Sequence, residues 1–174
     1  MSESHTEEIR VWLVEDNEVF RRNVQRVINS LEGMTCDGSF DSAEATFIAL
    51  QNNAAPDVIL LDVQLPGVDG IAALSEFRGA IPDTRVIILT VFDDADKIFR
   101  AVCAGASGYV LKDSGTDRIG ESIRQVMDGG APMTPEVAKK VLDAFANSDL
   151  LPGAKSDYGL TTREQEILRL LAEG

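Results

Sequence analysis

The sequence lacks the features that mark membrane and secreted proteins. No apolar run approaches the ~20 residues that a membrane-spanning helix requires, and the polar start Met1–Glu8 does not have the form of a signal peptide. The two cysteines, Cys36 and Cys103, both lie in segments with an apolar pattern. This placement predicts two buried free thiols rather than a disulfide or a metal-binding pair. These features favour a cytoplasmic protein.

Positive charge is also scarce. The chain has 16 lysines and arginines against 29 aspartates and glutamates, which gives a net charge of −13. A chain this acidic repels DNA phosphates unless a local basic patch overrides its field. The pairs Arg21–Arg22 and Lys139–Lys140 are more simply the solvated sides of helices. We therefore expect that this chain, alone, does not bind DNA specifically.

Apolar runs alternate with helical patterns along most of the chain. The predicted strands are Ile9–Val14, Met34–Phe40, Val58–Leu61, Val86–Leu89 and Tyr109–Leu111. The predicted helices between and after them are Asn17–Leu31, Ser42–Gln51, Gly70–Arg78, Ala95–Ala104 and Thr116–Asp128. The third and fourth strands are apolar throughout, as parallel strands covered on both faces must be. Five successive βα units predict an α/β fold with a five-stranded, parallel, doubly wound sheet.

The first predicted helix has an apolar face. Apolar residues recur at helical spacing and form one stripe, which faces the core of the predicted fold. The members of this stripe are Val19, Val24, Val27, Ile28 and Leu31.

Residues capable of chemistry follow four of the five strands. Glu15 and Asp16 follow the first strand, Asp62 the third, Thr90 the fourth and Lys112 the fifth. In an open α/β sheet the carboxyl ends of the strands share one edge, where ligands bind. We therefore expect three carboxylates, one hydroxyl and one ammonium group to converge there.

Three neighbouring carboxylates repel one another and need a cation among them to stay ionised. Oxygen ligands without histidine or cysteine suit Mg²⁺, which binds through one or two carboxylates and keeps several waters. One of the carboxylates can also act as a nucleophile that forms an aspartyl phosphate. A lysine, a hydroxyl and Mg²⁺ would then stabilise the phosphoryl oxygens.

Each of these residues also has an ordinary structural interpretation. Asp16 alone could cap a helix, Asp62 could start a turn, Lys112 could be a surface lysine, and Thr90 an ordinary strand residue. Their joint placement at one sheet edge favours the functional interpretation.

A nucleotide- or flavin-binding fold would have a glycine-rich turn after the first strand. The turn Glu15-Asp16-Asn17-Glu18 has no glycine and three acids, so it attracts cations rather than dinucleotides.

The sequence from Ile9 to Gly130 resembles the receiver domain of two-component response regulators. The motifs that carry the resemblance are Leu13-Val14-Glu15-Asp16-Asn17, Ile59-Leu60-Leu61-Asp62, Leu65-Pro66-Gly67-Val68-Asp69-Gly70, Leu89-Thr90, and Gly105 to Asp113. The segment Leu160–Gly174 resembles the opening of a LuxR-type helix-turn-helix domain. Together these segments make the chain similar to response regulators of the NarL/FixJ type, which have a flavodoxin-like receiver.

The resemblance implies a domain organisation. Residues 9–130 would form the receiver, residues 131–159 a linker with one helix that starts at Pro135, and residues 160–174 the first helix of a truncated DNA-binding domain. The apolar stripe of the predicted helix Thr161–Ala172 has nothing left in this chain to cover it, so we expect the chain to be a fragment. Promoter DNA would then be a partner of the full-length protein only.

The resemblance also implies roles for individual residues. Asp62 would accept a phosphoryl group from a sensor histidine kinase, and Lys112 and Thr90 would contact that group. Glu15, Asp16, Asp62 and the backbone carbonyl of Gln64 would bind Mg²⁺. Thr90 and Tyr109 would form the switch, with the Tyr109 ring turning inward when Thr90 moves toward the phosphate. The phosphorylated form would pair with itself, through the helices predicted at Asn17–Leu31 and Thr116–Asp128.

Two positions depart from the family pattern. Many receivers have a cis proline after the lysine, whereas Asp113 follows Lys112, and Glu15 stands where an aspartate is common.

An enzyme that uses Asp62 as a turnover nucleophile is the alternative to a signalling module. A phosphatase of the haloacid dehalogenase type would have an aspartate at Gln64 and a cap insertion. Since the sequence has neither, a module that catalyses only its own phosphorylation and dephosphorylation is favoured.

Overall fold

A computed structural model describes residues 8–91, 93–115 and 117–147 of the chain. Five strands and six helices follow one another in this part of the sequence. The strands are β1 (Ile9–Val14), β2 (Met34–Phe40), β3 (Val58–Leu61), β4 (Arg85–Thr90) and β5 (Gly108–Leu111). The helices are α1 (Glu18–Ser30), α2 (Ala43–Leu50), α3 (Gly70–Ala80), α4 (Ala95–Cys103), α5 (Asp117–Met127) and α6 (Pro135–Asn147), with a short 3-10 helix at Lys112–Ser114.

The strands form one parallel sheet in the order β2-β1-β3-β4-β5. Because β1 lies between β2 and β3, the direction of winding reverses at β1 and opens a crevice at the carboxyl ends of β1 and β3. This topology confirms the predicted five-stranded, doubly wound α/β fold. It also brings the residues that follow β1 and β3 to adjacent places on one edge.

Helices cover both faces of the sheet and separate the core into two clusters. Trp12, Ile59 and Ile88 point to the face covered by α2, α3 and α4. Their neighbours Val11, Leu60 and Ile87 point to the face covered by α1 and α5. This alternation explains why the central strands are apolar at every position, since both of their faces are buried.

Most element bounds agree with the sequence prediction to within two residues, but two core assignments were wrong. Cys103 is exposed, although Cys36 is buried and both thiols are free as expected. At 3.6 residues per turn, Cys103 lies about 140° around α4 from the buried Ile98, so it faces solvent. Val19 is 71% exposed, and Phe20 occupies the core side of the first turn of α1 instead.

The chain continues past α5 to form α6, which packs against α4 and buries Val137 completely. The remainder of the linker beyond residue 147 and the helix predicted at Thr161–Ala172 lie outside the described residues. In the described ranges, none of the helices combines the length and the apolar composition that crossing a membrane demands.

Candidate functional site

The backbone of the sheet places two acidic residues at its carboxyl edge. The amide of Glu15 donates to the carbonyl of Phe40 over 3.0 Å, and the amide of Asp62 donates to the carbonyl of Val14 over 3.0 Å. These bonds extend the parallel ladders by one residue beyond the ends of β1 and β3. Glu15 and Asp62 are therefore fixed by the sheet itself, and the two residues are 1% and 5% exposed.

Asp16 completes a cluster of three carboxylates. One oxygen atom from each of Glu15, Asp16 and Asp62 lies within 4.8 Å of the other two, and Asp16 is the exposed member. Asp16 does not cap α1, because Asn17 occupies that position and accepts from the amide of Phe20 over 3.0 Å. The Asp16 carboxylate is thus not engaged as the helix cap, one of the ordinary roles that its sequence position allowed.

Lys112 joins the buried members of this cluster from the end of β5. Its Nζ atom lies 2.7 Å from Oδ2 of Asp62 and 2.5 Å from Oε2 of Glu15. The lysine side chain is 12% exposed. The strand ends thus bring together four of the residues that the sequence singled out, namely Glu15, Asp16, Asp62 and Lys112.

Burial and neighbouring charges shift the pKa values of Glu15 and Lys112. Burial raises the pKa of the Glu15 carboxyl, and this effect outweighs the lowering by Lys112. Burial alone would lower the pKa of Lys112, but its close contacts with the carboxylates of Asp62 and Glu15 raise it above the ordinary value. These carboxylates therefore favour the charged ammonium form of Lys112.

The cluster fits a hard divalent cation. All of its donors are carboxylate oxygens, which suit Mg²⁺. The amide of Asn17 donates to Oε1 of Glu15 over 3.1 Å, but the buried Oε2 atom lacks a hydrogen bond of good geometry and has only the ion pair with Lys112. The exposed Asp16 leaves one side of the cluster open to solvent, so a partly hydrated ion could be held there.

The other predicted site residues lie around this cluster. Gln64 donates its backbone amide to Oδ1 of Asp62 over 3.2 Å, which orients the carboxylate. Thr90 ends β4, the strand beside β3, and is fully buried. Tyr109 in β5 is also fully buried, and burial together with the charge of Asp62 raises the pKa of its phenol. The peptide bond between Lys112 and Asp113 is trans.

Two residues near the cluster were not assigned a role at the site from the sequence. The ring of Phe20 lies beneath Lys112, with Nζ 4.8 Å from the ring centroid, so it makes a cation–π contact with the ammonium group. Gly70 begins α3 against the turn that follows β3, and a Cβ atom there would overlap the carbonyl oxygen of Asp62. An apolar helix position and a helix-starting glycine carry no chemical signal in the sequence. Only the tertiary structure reveals their contacts.

A second contact holds the loop between β3 and α3. The amide of Val68 donates to Oε1 of Glu44 in α2 over 3.1 Å. Gly67 has a φ of 78°, a left-handed conformation that glycine adopts without strain, and it places its Cα against the same carboxylate. The loop that starts at Asp62 is thus held near its start by the bond from the Gln64 amide and near its end by Glu44.

Comparison with known proteins gives a consistent result. Residues 11–124 match the family of the response regulator receiver domain. The chain is 34% identical over 169 residues to the transcriptional regulatory protein YxjL of Bacillus subtilis, covering 97% of this chain and 77% of the relative. It is 35% identical over 167 residues to the transcriptional regulatory protein LiaR of the same organism, covering 95% of this chain and 77% of that protein.

A solved structure shows the same fold. The crystal structure of a LuxR-family two-component response regulator from Aurantimonas sp. SI85-9A1 matches with a TM-score of 0.73 and 27% identity, over 79% of this chain and 98% of that one. Receivers of this family bind Mg²⁺ at an acidic pocket, are partners of histidine kinases, and act in general as signalling proteins rather than enzymes. The chain therefore belongs to the two-component response regulators of the NarL/FixJ type and contains their receiver domain.

Proposed function

We propose that Asp62 accepts a phosphoryl group from a phosphohistidine of a sensor kinase and that the resulting aspartyl phosphate is the signal. The observation that carries this proposal is the position of Asp62, which shares Lys112 with the buried Glu15 and lies within 4.8 Å of Asp16. A surface aspartate that merely started a turn would need neither a buried lysine nor two further carboxylates. The hydrogen bond from the Gln64 amide turns one Asp62 oxygen toward the backbone.

The transfer forms one bond and breaks another. An oxygen of the Asp62 carboxylate attacks the phosphorus atom, an O–P bond forms, and the N–P bond of the phosphohistidine breaks with its electron pair returning to the imidazole nitrogen. Lys112 can then pair with a phosphoryl oxygen instead of with the carboxylate, because its ammonium group has three N–H donors and already contacts Asp62 and Glu15. Thr90, at the end of the neighbouring strand, would donate a hydrogen bond from its hydroxyl group to another phosphoryl oxygen.

The proposal includes a Mg²⁺ requirement. Glu15, Asp16, Asp62 and the backbone carbonyl of Gln64 would hold the ion, which when bound neutralises the charge that gathers on the phosphoryl oxygens. The chain would catalyse only its own phosphorylation and hydrolysis of the aspartyl phosphate. This reaction would take place in the cytoplasm.

The proposed output follows the domain organisation. Residues 9–130 would form the receiver, residues 131–159 the linker and residues 160–174 the start of a LuxR-type DNA-binding domain. We propose that phosphorylation moves Thr90 and Tyr109 and raises the dimer fraction through α1 and α5. The full-length protein would then bind promoter DNA, and its relatives YxjL and LiaR are named as transcriptional regulators.

A small phosphodonor tests the chemistry without the kinase. Acetyl phosphate with Mg²⁺ should add one phosphoryl group to the chain by intact mass, and a chelator or Asp62→Asn should abolish the addition. Asp57→Asn is the matched control, because Asp57 precedes β3 at the opposite edge of the sheet, where it accepts from the amide of Arg10. An adduct on the Asp62→Asn variant, or full modification in chelator, would overturn the proposal.

Sedimentation tests the proposed dimer separately. Beryllofluoride, which mimics the phosphoryl group, should raise the sedimentation coefficient of the wild-type chain but not of Asp62→Asn. The sedimentation coefficient of the Thr90→Ala variant should rise less, because this variant lacks the hydroxyl group that would hydrogen-bond the phosphoryl group. An unchanged association state in the wild-type chain would count against the dimer while leaving the phosphorylation chemistry intact.

A further inference from the structure

The segment after α5 contacts Tyr109 in β5, one of the two proposed switch residues. The amide of Tyr109 donates to the carbonyl of Pro132 over 2.8 Å, and Tyr109 and Met133 form an isolated parallel bridge. Gly108 allows this close approach, because a Cβ atom there would lie 2.5 Å from the Pro132 ring. The chain thus runs along the free edge of β5 before α6 begins.

Helix α6 then folds over α4. Thr134 starts it, accepting from the amide of Val137 through Oγ1 over 3.3 Å. Val137 is fully buried and belongs to the same core cluster as Ile98 and Ala101 of α4 and as Tyr109. Because a fully buried valine loses its apolar contacts when α6 leaves, this packing favours the docked position of α6.

A polar contact fixes where α6 lies along α4. Nζ of Lys140 donates to the backbone carbonyl of Asp93 over 2.5 Å and to its Oδ2 atom over 2.8 Å. Asp93 stands in the loop between β4 and α4, three residues after Thr90. Further along the helix, the rings of Phe99 and Phe145 meet edge to face with centroids 5.1 Å apart.

The structure therefore joins α6 to two neighbours of the phosphorylation site. One connection runs through Lys140 to the loop that follows Thr90, and the other runs through Pro132 and Val137 to Tyr109. We propose that docking of α6 on α4 and phosphorylation of Asp62 stabilise each other, with Lys140 as the residue that ties α6 to the β4–α4 loop. This inference rests on the proposed function of Asp62.

The sign of the coupling follows from the state of Tyr109. Its side chain is fully buried with α6 docked, in the cluster that α6 closes. Tyr109 and Val137 belong to one buried cluster, so a form in which the ring moves outward would open that cluster. In the proposed switch the phosphoryl group favours the inward ring, so it also favours docked α6, and linkage makes the effect reciprocal. The hydrogen bond and the charge of Lys140 also lower the pKa of Asp93.

Hydrogen exchange on the whole 174-residue chain tests the proposal. After acetyl phosphate and Mg²⁺ treatment, the amides of residues 138–147 should exchange about fivefold more slowly or better, as expected for a typical coupling between two sites. Intact mass of the same sample reports whether Asp62 carries the phosphoryl group. If Asp62 is unmodified, the proposed function fails and the inference with it. If Asp62 is modified and exchange in α6 is unchanged or faster, only the inference is wrong.

Lys140→Met supplies the reciprocal test, because methionine keeps the aliphatic stem and removes the charge. We expect the apparent affinity for beryllofluoride with Mg²⁺ to fall about two- to fivefold, the range that an exposed ion pair can supply. Lys139→Met is the matched control, since Lys139 is the adjacent, exposed lysine of the same helix. Val137→Ala should reduce both the beryllofluoride affinity and the protection of α6. Equal affinities for the wild-type chain and Lys140→Met, or an equal loss in Lys139→Met, would overturn the role of Lys140.

Discussion

Gly70 and Asp62 are in such close contact that the first residue of α3 has no room for a side chain. A Cβ atom on Gly70 would overlap the carbonyl oxygen of Asp62 and would lie 2.8 Å from the Cα atom of Val63. The amide of Gly70 also donates to the carbonyl of Val63 over 3.0 Å. The start of α3 and the backbone of the proposed phosphoacceptor therefore cannot move independently.

This contact predicts the effect of Gly70→Ala. The added methyl group must push the turn after β3 away, which should destabilise the fold by about 1–3 kcal/mol, as overpacking does, and slow phosphorylation. Urea unfolding and the acetyl phosphate reaction measure the two effects. Gly79→Ala, in the same helix, is the control, because a Cβ atom at Gly79 meets nothing within 4 Å. That variant should gain about 0.4–1 kcal/mol. Equal stabilities for the two variants would refute the steric account.

Removal of the buried ammonium group should make stability depend on Mg²⁺. In Lys112→Met the carboxylates of Glu15 and Asp62 lose their counter-ion, and without a divalent cation the free energy of unfolding should fall by about 3 kcal/mol. Saturating Mg²⁺ should narrow the difference from the wild-type chain, because a cation then occupies the acidic cluster. Urea titrations with Mg²⁺ and with a chelator measure both quantities.

The exposed Lys139→Met is the control for a lost positive charge, and it should change stability by no more than about 0.5 kcal/mol in either condition. If Lys112→Met unfolds at the same urea concentration as the wild-type chain in chelator, Lys112 does not balance the cluster. If Mg²⁺ stabilises neither chain relative to chelator, the cluster does not hold the ion.

The two cysteines should differ in reactivity. Burial, with a smaller contribution from the charge of Asp37, raises the pKa of the Cys36 thiol to about 12, while Cys103 is exposed. Because the thiolate is the reactive form, a maleimide at about pH 8 should add once to the native chain, at Cys103. A second addition should require denaturant, and Cys103→Ser should take up no label while folded. Native labelling of Cys36 at the rate of Cys103 would show that β2 is not packed as described.

The strands and the main site residues could be predicted because their signals are local. An apolar run that ends in an acid or a lysine marks both a buried strand and the edge of the sheet, which is how Glu15, Asp62 and Lys112 were found together. Val19 and Phe20 show the limit of such patterns. Adjacent helix positions differ by 100°, and the sequence does not say which of them meets the core.

Contacts between distant segments were beyond the sequence. Lys140 was interpreted as part of a solvated helix face, and its bond to Asp93 depends on the packing of α6 over α4. Gly70 carries no side chain from which its contact with Asp62 could be inferred. Such features depend on the final geometry of three or more elements, whereas periodicity reports only which face of one element is buried.

The site of modification tests the central claim. After treatment with acetyl phosphate and Mg²⁺, borohydride should reduce an aspartyl phosphate to homoserine, and peptide sequencing by mass spectrometry would locate the product. The structure predicts homoserine at position 62 and unchanged residues at Glu15 and Asp16. The Asp62 carboxylate contacts Lys112 and is oriented by the Gln64 amide, whereas Asp16 is exposed and burial raises the pKa of Glu15. Homoserine at position 16, or modification spread over several carboxylates, would contradict the assignment of Asp62 as the phosphoacceptor.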